Sequence, residues 1–119
     1  MISISKTLSD LIGEIVGVCS HSIRNEYPTK YQTYNEAWDN LYQSLGFLRK
    51  KLGEGKYTQL TEMTEQAKAH FQAGHKIGGD DWEITLGARL MQDMEQVVKG
   101  KPPYAYPEDM YRWPRTVIS

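Results

Sequence analysis

The residues that could carry chemistry are few: one cysteine, Cys19, and three histidines, His21, His70 and His75. Nucleophilic catalysis needs a thiol or hydroxyl beside a base that an acid orients. His21 lies two residues beyond Cys19, so on a helix their side chains point about 200° apart and do not pair. Cys19 stands in an apolar run and reads as a small buried hydrophobe. A single cysteine makes no internal disulfide, as expected in a reducing compartment. His70 and His75 are five residues apart across an expected helix end, off the one face that an HExxH pair occupies. The Glu-x-x-His pattern of metal sites in helical bundles is missing, so no metal is expected, and the three histidines read as surface or capping groups. The acidic pairs Asp80–Asp81 and Glu108–Asp109 read as caps and solvated surface. The glycine groups GEG and GG lack the spacing of a phosphate-binding loop, and no serine sits in a nucleophile elbow. These absences lead us to expect a non-enzyme with no cofactor.

The elements that must position these residues follow from the apolar period. Ile4, Leu8, Leu11, Ile12, Ile15, Cys19 and Ile23 recur in steps of three and four, a stripe on one helix that Ser3 or Ser5 would cap and Pro28 would end. Gly13 and Gly17 interrupt it, either for a close helix approach or as defects costing about 1 kcal/mol each. Thr33 and Glu36 have capping-box spacing ahead of Trp38, Leu41, Leu45, Leu48 and Leu52, with Gly53 and Gly55 as the stop. Leu60, Met63, Ala67 and Phe71 line a third helix that Gly74 would cap. Asp80 or Asp81 would cap a fourth, carrying Trp82, Leu86, Leu90, Met94 and Val97, before Gly100 and the prolines at 102 and 103. The expected fold is all-α: a four-helix antiparallel bundle in a single domain over 1–119. Its helices span about 4–26, 34–52, 57–73 and 81–99. An extended, proline- and aromatic-rich tail covers 100–119. No alternation supports a sheet.

The chain has 119 residues, enough to bury one core without disulfides or metal. Its formal net charge of −1 argues against nucleic-acid and membrane-surface binding, which draw on a basic excess. No apolar run reaches the roughly 20 residues of a membrane helix, and Asp10 and Glu14 break any signal-peptide core. A cytoplasmic location is the expectation.

What remains is surface. Charge is unevenly spread, with net −3 over residues 57–99 and net +2 over 27–56. Tyr27, Tyr31, Tyr34 and Tyr42 cluster about the first loop, and Tyr104, Tyr106, Tyr111 and Trp113 crowd the tail. Such aromatics dominate binding hot spots, because they bury a large rigid area and keep a polar handle. We therefore expect a partner-binding surface built from Asp80, Asp81, Trp82 and Glu83 with Tyr104, Tyr106, Tyr111 and Trp113.

From Ala37 to Lys101 the runs LYQSLGFLRKKL, LTEMTEQAKAHFQAG and WEITLGARLMQDMEQVVKG match in helix length and apolar spacing. In these runs the chain resembles small all-helical immunity proteins of bacterial type VI secretion systems, the group that neutralises NAD-degrading effectors. The resemblance implies a protein that binds a cognate toxin, an NAD glycohydrolase or ADP-ribosyltransferase, and occludes its active site without turnover. The alternative is a homo-oligomeric helical adaptor, secretion chaperone or phage accessory protein, with Gly13 and Gly17 on a homodimer seam.

Overall fold

The computed structural model describes residues 4–25 and 33–102. These form α1 (Leu8–Ile23), α2 (Tyr34–Phe47), the one-turn α3 (Arg49–Leu52), α4 (Glu54–His75) and α5 (Asp81–Lys99), with no strand among the described residues. The all-helical expectation holds. No helix among the described residues is long and apolar enough to cross a membrane.

Several boundaries differ from those expected. α1 begins at Leu8, because Thr7 caps it by accepting from the Asp10 amide. Ser5 does not cap. Its hydroxyl donates to Glu14 at 2.7 Å and its amide to Ser44 Oγ at 2.9 Å, which pins the segment before α1 onto α2. α1 closes at Ile23, short of Pro28, and Asn25 takes the left-handed conformation (φ 54°) that asparagine tolerates. The second expected helix splits at Leu48, whose φ of −93° and ψ of 6° start the separate turn α3. The third starts three residues earlier than expected, since Gly53 (φ 85°) ends α3 and opens α4, and Gly55 lies within α4. The expected capping box does form: Thr33 Oγ1 accepts from the Glu36 amide, and Glu36 accepts from the Thr33 amide. Asp80 and Gly100 cap α5 as expected.

One core draws on all four long helices. Leu11 and Ile15 of α1, Trp38, Leu41 and Leu45 of α2, Leu60 and Phe71 of α4, and Met91 and Met94 of α5 are fully buried. The Trp38 ring stands 6.1 Å from Phe71 and 5.9 Å from Tyr34, tilted in both cases, as aromatic quadrupoles prefer. The pairs His70–Glu83 and Thr64–Met94 show α5 descending as α4 rises. Where α1 meets α2, Glu14 accepts from Ser5, Ser44 and Asn40, so a half-buried carboxylate satisfies three donors at once.

Candidate partner-binding surface

α4 and α5 are joined by residues 76–80, a turn closed by the Gly79 amide donating to the Lys76 carbonyl at 2.8 Å. Asp80 then accepts from the Trp82 amide and starts α5. Backbone approaches closely at this corner, where the sequence HKIGG would be read as a flexible turn. A Cβ on Gly79 would stand 2.4 Å from the carbonyl oxygens of Ala73 and Gly74, so only glycine fits there. Gly74, expected to cap α4, lies inside it instead. It has no side chain because Ile84 of α5 occupies that space. The cap position falls to Lys76.

This corner holds Ile77 fully exposed. Beside it lies a groove of about 370 Å³ lined by Ile23, His75, Asp81, Ile84, Thr85 and Ala88. Ile23, expected in the core stripe, is 43% exposed, because it ends α1 at the edge of this groove. His75 donates from Nε2 to the Ser22 carbonyl, tying the last turn of α4 to the last turn of α1. Asp81, which is exposed, puts one carboxylate on the groove's edge, and Asp80 before it is exposed but outside the lining.

The run Asp80 to Glu83 does not make one patch. Successive helical residues point about 100° apart, so each side chain meets a different neighbour. Asp81 faces the groove. Trp82 is half-buried, with the Arg89 guanidinium 5.1 Å from its ring centre, a cation–π contact. Glu83 accepts from His70 Nδ1 at 3.0 Å across the α4–α5 contact. Asp80 is occupied as a cap. Tyr104, Tyr106, Tyr111 and Trp113 lie outside the described residues. Sequence reasoning gave Ile77 no role, placed Ile23 in the core stripe and read His75 as a surface or capping group, whereas Ile77 and Ile23 are exposed and His75 bonds to Ser22. A lone isoleucine between HK and GG was the available signal for the first.

Histidines expected at the surface or as caps act here as cross-links: His70 between α4 and α5, His75 between α4 and α1. Among the described residues no three His, Cys, Asp or Glu side chains converge as metal ligands. Cys19 is 8% exposed, and burial, with Glu95 nearby, pushes its thiol up to about 11. It is therefore a neutral thiol at physiological pH, the unreactive form. No family model, curated protein or solved structure matches the chain.

Proposed function

We propose that this protein acts by binding another protein, as an immunity protein that occludes the active site of a cognate toxin. One observation carries this reading: an exposed isoleucine, Ile77, on the tight α4–α5 turn next to a groove edged by Asp81. An apolar centre within a charged rim is the arrangement of a protein–protein contact. The acidic edge suits a toxin cleft that is basic because it holds a phosphate-bearing substrate, as in an NAD glycohydrolase or ADP-ribosyltransferase. The four long helices serve as an antiparallel bundle, a stiff scaffold for that face. Tyr104, Tyr106, Tyr111 and Trp113 join the contact on sequence grounds. The chain itself performs no turnover, in keeping with a protonated Cys19 and with histidines engaged between helices. The site of action is the cytoplasm.

Co-expression with the product of the adjoining reading frame tests this. Restored growth and co-purification are the expected results. A toxic product that this chain neither binds nor silences contradicts the proposal. Replacing the four tail aromatics with alanine weakens the complex if they take part, and unchanged affinity removes them.

A further inference from the structure

The end of the fold opposite the α4–α5 turn is basic, in a chain whose net charge is −1. Lys50 and Lys51 of α3, Lys56 of α4, Lys99 of α5 and Lys101 just beyond it are all exposed. The only carboxylate in residues 49–56, Glu54, accepts from Arg49 Nε and Nη2 at 2.6 and 2.7 Å. Among the described residues neither Lys56 nor Lys101 has a side-chain hydrogen bond or ion pair.

Between Lys56 and Lys101, α4 and α5 border a groove of about 330 Å³. That is the small end of the range for ligand pockets. The two helices run antiparallel, so the lining changes in order along the groove. Lys56 faces the end of α5, where a Cβ on Gly100 would stand 3.5 Å from Lys56 Nζ. Gln59 and Val97 come next, and Met63 and Asp93 form the far end. Lys56 and Met63 lie about 10 Å apart along α4, at 1.5 Å per residue. The backbone about Lys101 is held in place. Its amide donates to the Gln96 carbonyl at 2.9 Å, and Gln96 Nε2 donates to the Pro102 carbonyl at 3.0 Å.

Each end asks for a different group. Two ammonium groups bind a phosphate by charge-assisted hydrogen bonds. Val97 and Met63 offer an apolar wall to a ring, and a thioether sulfur adapts to aromatic faces. The Asp93 carboxylate only accepts. It is not free, but its oxygens offer about four acceptor positions, more than one partner fills. An anion is repelled from that end and a ring N–H or amino group is drawn to it. Inorganic phosphate is too short to use both ends, and an acidic peptide would bring a second negative charge to Asp93.

We infer that this groove binds a nucleoside monophosphate, its phosphate between Lys56 and Lys101, its base along Val97 and Met63, and the N–H donors of the base on Asp93. This is independent of the toxin-binding reading, because none of these residues belongs to the α4–α5 turn or to the groove beside it.

Titration of the isotope-labelled full chain with AMP and with GMP, followed by amide chemical shifts, tests it. Saturating shifts at Lys56, Gln59, Gly100 and Lys101 are expected at millimolar nucleotide, with none in the turn 76–80. Inorganic phosphate and adenosine should each bind at least about tenfold more weakly than AMP, since each uses one end of the groove. Lys56→Glu and Lys101→Glu, at exposed positions that leave the melting temperature unchanged, should each weaken AMP binding about tenfold or more. Lys50→Glu, outside the lining, should weaken it by about twofold at most, because salt screens charges that do not touch the ligand. The inference is overturned if neither nucleotide shifts the groove amides, or if phosphate alone binds as well as AMP. A Lys50→Glu variant as impaired as Lys56→Glu also overturns it, since the attraction is then diffuse.

Discussion

Gly79→Ala probes the rigidity of the proposed contact face. The added methyl would stand 2.4 Å from two backbone oxygens, Ala73 O and Gly74 O, and 2.7 Å from Gly74 C. Backbone at the end of a helix cannot yield as a side-chain tip can, so the turn must move or the last turn of α4 must unwind. Overpacking of this kind costs about 2–3 kcal/mol. For a domain of this size, that lowers Tm by roughly 10 °C. Gly78→Ala is the matched control. Gly78 has φ 79° but nothing within 4 Å of a Cβ, so only the left-handed conformation is penalised, by about 1 kcal/mol. Urea unfolding of both variants measures the difference. If Gly79→Ala is as stable as Gly78→Ala or more so, the turn is soft and the argument for a preformed face fails.

Other outcomes follow from the same contacts. Thr33→Ala removes the hydroxyl half of the α2 capping box and should cost about 1 kcal/mol in urea unfolding. Glu14→Ala strands the buried Ser5 and Ser44 hydroxyls and removes the Asn40 bond to that carboxylate, and should cost about 2 kcal/mol, with the segment before α1 gaining amide exchange first. Cys19 should resist thiol reagents at pH 8 while folded and react on unfolding. Its folded pKa of about 11 lies above the unfolded 9.0, so its contribution to stability is complete below pH 9 and is lost as pH rises towards 11. Equilibrium unfolding across that pH range checks the sign.

The helices were legible because each carries its apolar residues at its own period and several carry local caps. Thr33 with Glu36, Asp80 and Gly100 act within a few residues of themselves, so their roles can be read without a fold. The split at Leu48 had no such marker, since neither proline nor glycine occupies it. Gly74 shows why a residue type alone misleads. It resembles a helix stop, yet its reason is Ile84, ten residues on and in another helix. The run Asp80–Glu83 was legible as acidic and aromatic, but contiguity in sequence is dispersion on a helix, and two of its members are engaged with Arg89 and His70. Ile77 became meaningful only when the turn proved to hold it outward. Function was less legible than fold, because a binding face declares itself by exposure, which periodicity does not report.

The most direct measurement is calorimetric titration of the adjoining reading frame's product with the wild type and with Ile77→Asp. That substitution sits on a fully exposed side chain, so the variant should unfold at the wild-type urea concentration within error. The account predicts tight binding by the wild type and at least a hundredfold loss for Ile77→Asp, about 2.7 kcal/mol, the scale of a hot-spot anchor. Equal affinity of the two proteins, or no complex with the wild type, would contradict it.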